Sequence, residues 1–153
     1  WEVLTGAMQD GEKSFPWRYT TKKPGKDWQK KEFDDKNWDV GKAPFGSKTG
    51  WDDKIRTPWK TKDIWLRQEF EYNEQPFEKV VIVMHYDNRT TIFLNGEQVL
   101  VKKGWNDQYD GFDVTDAIKG LLKKGKNLLA VHVHQDTGGQ YIDLAILLEK
   151  PGK

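Results

Sequence analysis

Lys79-Val-Val-Ile-Val-Met-His-Tyr86 opens the stretch that decides the fold, and it runs on to Val101. The octapeptide is rich in β-branched and aromatic residues and has no Gly or Pro, so it reads as a strand. Asp87-Asn88-Arg89 is a turn signal. Thr90-Thr-Ile-Phe-Leu94 is the next strand, Asn95-Gly96 a two-residue loop, and Glu97 to Val101 the strand after it. Asn-Gly between apolar runs predicts a type I′ hairpin turn, because both central residues need φ > 0. That loop sets a register in which Leu94 faces Glu97, Ile92 faces Val99 and Thr90 faces Val101. Ile92, Leu94, Val99 and Val101 then share the core face, and Phe93 lies on the other, opposite Gln98. The segment Lys79–Val101 is expected to be a meander.

Outward from this centre, strands keep recurring. Ile64 to Tyr72 alternates, with Ile64, Leu66, Gln68, Phe70 and Tyr72 against Trp65, Arg67, Glu69 and Glu71. Gly111–Val114, Leu128–His134 and Tyr141–Leu148 read as further strands. Thr115 is expected to cap a short helix over 116–122, and Gly125 to end that connection. Residues 1–63 are richer in turn residues. Trp1–Leu4 and Pro16–Tyr19 read as short strands, Trp28–Phe33 as a helical turn, Phe33–Trp38 as a turn that buries both rings, and 41–50 as loop. Many strands with one minor helix predict a single all-β domain over 1–153, an antiparallel β-sandwich of about eight strands, rather than βαβ units.

Composition narrows the function. The 153 residues suffice for a real core. No Cys is present, which removes disulfides and thiolate metal sites. With 25 basic and 24 acidic residues the net charge is +1, which leaves no electrostatic footprint for nucleic acid. The apolar runs are too short to span a bilayer, so no membrane partner is expected, and none of them reads as a signal peptide. A start at Trp1 without Met reads as a processed product or a domain cut from a longer protein. The eight Trp lie mostly outside the strong strands, which core packing alone explains poorly.

Several segments form a pattern: Phe33-Asp-Asp-x-x-Trp38, Ala43-Pro-Phe-Gly46, Ile64-Trp-Leu-Arg67, Ile92-Phe-Leu-Asn-Gly-x-x-Val99, Phe112-Asp-Val-Thr115, Gly125-x-Asn-Leu-Leu-Ala-Val131 and Gly138-Gly-Gln-Tyr-Ile-Asp143. Over roughly residues 30–149 the chain resembles the galactose-binding-like jelly-roll domain, and is similar to the sugar-binding accessory domain of family-2-type glycoside hydrolases. The resemblance implies a non-catalytic, carbohydrate-binding domain beside a catalytic domain in a secreted bacterial protein, extracellular or periplasmic. It transfers no residue motif for the sugar, and fold alone does not set function.

Candidate sites follow from chemistry. His132 and His134 share a strand face, and with His85 on a neighbouring strand they would make a three-imidazole metal site; the alternative is local packing. Asp34, Asp35, Asp52, Asp53, Asp107, Asp110, Asp113 and Asp136 bear on a structural calcium ion, an option that the resemblance raises, although no Asp-x-Asp-x-Asp-Gly loop is present and Asp34 and Asp35 read more simply as turn formers. No other cofactor is expected. Glycosidase chemistry needs two carboxyl groups about 5–10 Å apart, which 24 acids meet by chance, and no catalytic motif stands out. The aromatic residues carry more. Successive strands reverse direction, so alternate connections gather at one end. This parity brings together Trp59, Asp87, Asn88, Arg89, Trp105, Asn106, Tyr109, Gln135, Asp136, Gln140 and Tyr141. Flat rings beside planar hydrogen-bonding groups suit a sugar. The competing reading is that Trp59 and Trp105 pin loops to the sandwich. A second function class stays open with it: a structural domain that docks on a catalytic neighbour and binds no free sugar.

Overall fold

The computed structural model describes residues 1–6 and 15–152. Two sheets pack face to face, as the alternating strands require. One has the order β10-β7-β12-β4-β5, formed by Asp110–Asp113, Lys79–Asp87, Gln140–Glu149, Phe45–Ser47 and Thr57–Pro58. β1 (Glu2–Gly6) pairs with β12 beside β4. The other sheet has the order β3-β2-β6-β11-β8-β9, from Asp39–Gly41, Trp17–Thr20, Asp63–Tyr72, Gly125–His134, Arg89–Leu94 and Glu97–Lys102. Among the described residues all the strand pairings are antiparallel except β4 with β5. Among the described residues two peptide bonds are cis, Ala43–Pro44 and Asp87–Asn88.

The core is what period-2 alternation dictates. Ile64, Leu66 and Phe70 of β6, Leu129, Val131 and Val133 of β11, and Ile92 and Leu94 of β8 meet Val80, Ile82 and Met84 of β7 and Ile142, Leu144 and Ile146 of β12. Gln68 also points inward and is satisfied there. It accepts from Thr5 Oγ1 (2.5 Å) and donates to the carbonyls of Phe15 and Pro16 (3.1 and 3.2 Å).

Lys79–Val101 is not a meander. β7 lies between β10 and β12, whereas β8 lies between β11 and β9 in the opposite sheet. Only Asn88 separates β7 from β8, too little for a two-residue hairpin loop, so the chain turns a corner between layers instead. The Asn95-Gly96 hairpin does form, with φ of 50° and 92°. Leu94 pairs with Glu97 and Phe93 with Gln98, as expected. A bulge then shifts the register, so that Ile92 faces Leu100 and Thr90 faces Lys102. The extra residue lets Val99 and Leu100 both pack on the core and turns Val101 outward, 40% exposed. Gly96→Val is expected to destabilise the protein by more than about 1 kcal/mol, because a β-branched side chain resists φ > 0. An unchanged urea midpoint would contradict that turn.

The helix is shorter than its sequence suggests, Thr115–Ile118. Thr115 does not cap it. Its hydroxyl accepts from the Val80 N–H (2.9 Å) and donates to Asp113 (2.6 Å), tying the turn to β7. Within 41–50, expected to be loop, β4 forms because β12 offers a free edge. Gly46 is required there, since a Cβ would lie 2.3 Å from the Gln140 carbonyl oxygen.

Candidate functional site

Strand parity does gather the expected loops. The Gln135 N–H donates to the Lys62 carbonyl (2.7 Å), the Asp136 N–H to Asn88 Oδ1 (2.8 Å), and Gln140 Nε2 to the Thr61 carbonyl (2.7 Å). Trp105 forms a backbone bridge with Asp87. Loops about residues 59–62, 87–89, 105–109 and 135–140 therefore share one end of the sandwich.

Burial then divides the expected set. Trp59 is 1% exposed and belongs to the core, with its indole N–H shared between Thr61 Oγ1 and the Asp63 carbonyl (both 3.2 Å), so it cannot stack on a ligand. Asn88, Gln140 and Tyr141 are buried too, and the first two hold neighbouring loops. Gln135 donates to the Gly138 carbonyl (2.6 Å) and braces its own turn. Arg89 and Asp136 are exposed. Trp105 is 63% exposed, yet its backbone is held firmly. The adjacent Asn106 accepts from the Tyr86 N–H (2.8 Å) and donates to the Met84 carbonyl and to Asp110 (both 3.0 Å). An exposed ring on an anchored backbone loses little order on binding.

Two adjoining cavities meet at Asp87, Trp105 and Gly139. One, of about 160 Å³, has Trp51, His85, Asn106, Asp107 and Tyr141 in its walls. The other, of about 280 Å³, adds Asn88, Thr137 and Gly138. Their floor is the outer face of the β7–β12 pair, where His85 lies opposite Asp143 and Asp87 opposite Tyr141. Rings surround His85: Trp51 at 5.4 Å, Tyr109 at 5.5 Å and Tyr141 at 4.3 Å. Burial holds the imidazole below its ordinary pKa, against the pull of the Asn106 backbone, Asp107 and Asp110. Tyr109 donates to Asp143 (2.6 Å), and burial together with that carboxylate pushes its hydroxyl far above its ordinary value, so it stays a donor. Trp51 and His85 were missing from the expected ligand set. His85 was legible, since it is two residues before Asp87 on one strand and so shares its face. Trp51 was not, because it reaches the site only through the pairing of β4 with β12.

Asp87 stands out chemically. Its Oδ1 is sealed from solvent and has no hydrogen-bond partner among the described residues. Burial first, then the charge of Asp136, pushes its carboxyl up to about 6. An acid raised in the folded state favours the protonated form, so stability declines as pH rises from about 4 through 6 and is level above. Asp87→Asn is expected to gain on the parent over that interval by about 1–2 kcal/mol, after discounting for solvent screening of the half-buried carboxyl. Parallel ΔG profiles from urea titrations at pH 4 and 7.5 would refute this.

Of the two readings of the histidines, the three-imidazole site does not form. His85 lies in the sheet opposite the one carrying His132 and His134. The latter two do share a face, where Asp63 Oδ1 lies 2.8 Å from both His132 Nε2 and His134 Nδ1. Burial raises the Asp63 pKa, but the bonds and charges of His134 and His132 outweigh it and hold the group low. His132 also stacks on Trp65 at 4.8 Å. Four of the acids considered for calcium are engaged within the protein: Asp34 with the Lys36 N–H, Asp52 with Thr49, Asp113 with Thr115, and Asp35 with Arg67. Among the described residues no group of three or more His, Cys, Asp and Glu is placed to hold a metal ion. No helix among them is long and apolar enough to cross a membrane.

No protein-family model matches the sequence, and no curated protein matches it. Solved structures match the fold. A β-glycosidase from Bacteroides vulgatus has a TM-score of 0.63 at 18% identity, over 89% of this chain and 20% of its own. A β-glucuronidase from glycoside hydrolase family 2 has a TM-score of 0.59 at 20% identity, over 89% of this chain and 14% of its own. A Bacteroides uniformis β-glucuronidase has a TM-score of 0.62 at 21% identity, over 85% of this chain and 16% of its own. The chain thus spans a fifth or less of the solved chains named here and shares the fold of one β-domain within larger glycoside hydrolases.

Proposed function

We propose that the chain is a non-catalytic carbohydrate-binding accessory domain of a bacterial glycan-degrading enzyme, working outside the cytoplasm beside a catalytic domain. The observation that carries this reading is the cleft that Trp105 shares with Trp51, Tyr141 and Asp87. Sugar rings present C–H faces that stack on indole, while Asp87 and Asp107 offer acceptors to hydroxyls. Trp105→Ala is expected to raise the Kd for a bound oligosaccharide at least thirtyfold, the loss typical of a hot-spot ring of about 2 kcal/mol. Folding stability should change by less than about 0.5 kcal/mol, because the ring covers no core. Calorimetry with a glycan panel and urea unfolding of both forms make the comparison. Unfolding of the variant, or full binding by it, would refute the assignment.

A second reading rests on a separate surface. Trp1 and Val3 are 64% and 54% exposed, and Trp1 lines a shallow apolar hollow with Val81, Val83 and Leu147 on the outer face of the β7–β12 sheet. Such a patch suits docking against a neighbouring domain without any free sugar. An intact glycan panel response with Trp1→Ser would separate the cleft from this patch.

A further inference from the structure

Charge is unevenly placed around the cleft. Asp87 lines both cavities and Asp107 lines the smaller, while Lys48 is the one cation among the residues in their walls. Arg89, next to the corner, lines neither. Asp136 adds a third carboxylate near Asp87, close enough to help raise its pKa. His85 supplies no countercharge, since burial favours its neutral form. Asp87 lines both cavities with a carboxyl whose sealed Oδ1 takes no hydrogen bond from the described protein, so the acceptor it turns to a ligand is its other oxygen. An ionised carboxylate only accepts, so a ligand that completes it must donate.

Resting on the carbohydrate-binding reading above, we propose that the cleft selects glycans of neutral or amino sugars and rejects uronate units, with Asp87 accepting hydrogen bonds from ligand hydroxyl or ammonium groups. A hydroxyl supplies a donor without adding charge, and an ammonium supplies three donors with an opposite charge. A uronate brings a further carboxylate against Asp87 and Asp107 in a partly desolvated space, where like charges repel more strongly than in water. Trp51 and Trp105 act on neutral and charged rings alike, so discrimination falls to the acids.

The test is calorimetry at pH 7.5 on the full chain with matched oligosaccharides. These are glucose, galactose and mannose oligomers, the glucuronate, galacturonate and mannuronate oligomers of equal length, and chitosan oligomers. The expected result is binding of a neutral or amino oligomer at least tenfold tighter than its uronate counterpart. Asp87→Asn should weaken that binding about tenfold and bring the neutral-to-uronate ratio towards one. Uronate binding equal to or tighter than the neutral counterpart would overturn the selectivity while leaving carbohydrate binding in place. Unaltered affinity and ratio in Asp87→Asn would overturn the role of Asp87. Binding of no oligosaccharide at all would overturn the carbohydrate reading itself, and this inference with it.

Discussion

Trp59→Ala is expected to cost about 3–5 kcal/mol, enough to leave a domain of ordinary stability close to unfolding. The indole is 1% exposed and follows directly on β5. Its removal loses the transfer energy of a large ring and leaves a cavity between strands too rigid to collapse. Two further groups lose a partner, because the indole N–H bonds the Asp63 carbonyl and Thr61 Oγ1. The backbone N–H still bonds the Gly46 carbonyl (3.0 Å), so the strand itself need not detach. Trp59→Phe keeps most of the ring and drops the N–H, and should cost about half as much. Urea unfolding reads both. A loss below about 1 kcal/mol accompanied by loss of glycan binding would return Trp59 to the ligand-contacting set.

Arg67→Ala should cost a comparable 3–5 kcal/mol, and by a different mechanism. Arg67 points to the outer face of its sheet and is nonetheless 2% exposed, because residues 26–38 fold over it. Its Nε donates to Asp35 Oδ2 (2.9 Å), Nη1 to the carbonyls of Trp28 and Lys30 (the latter 2.8 Å), and Nη2 to the Phe33 carbonyl (3.2 Å). The guanidinium also lies 5.3 Å from the Phe33 ring centre. Without it three carbonyls and a carboxylate lose their donor at once. Trp28, packed edge-on against Phe93 at 5.6 Å, would lift away with the loop. Arg67→Lys is not expected to rescue, since one ammonium cannot span acceptors laid out for a planar fork. Hydrogen exchange should quicken over 27–38 while β7 and β12 stay protected. Uniform quickening across the chain would mean that Arg67 supports the sandwich rather than the loop.

The strands of the core were legible because period-2 alternation is a local signal. Ile64 to Tyr72 and Leu128 to His134 face the way their alternation requires, and Asn95-Gly96 names its own turn. The parity of reversing strands also placed the loop end correctly, since it needs only strand count and direction. Which sheet a strand joins is not local: β7 and β8 parted because a single residue between them cannot close a hairpin. Three-residue strands such as β4 have too little pattern to read, and exist through the edge of β12.

The candidate site divides on the same line. Sequence alone supplied the residue types at the loop end. It also allowed Trp59 as a ligand contact, because an indole in an irregular segment looks the same whether it faces solvent or core. Only packing settles that, by what covers the ring: the two sheets close over Trp59, whereas nothing covers Trp105. The orphaned oxygen of Asp87 and the pairing of His132 and His134 through Asp63 likewise arise from atoms far apart in sequence. Burial and electrostatic partners belong to the assembled fold, and they separate an aromatic that stabilises from one left free to bind.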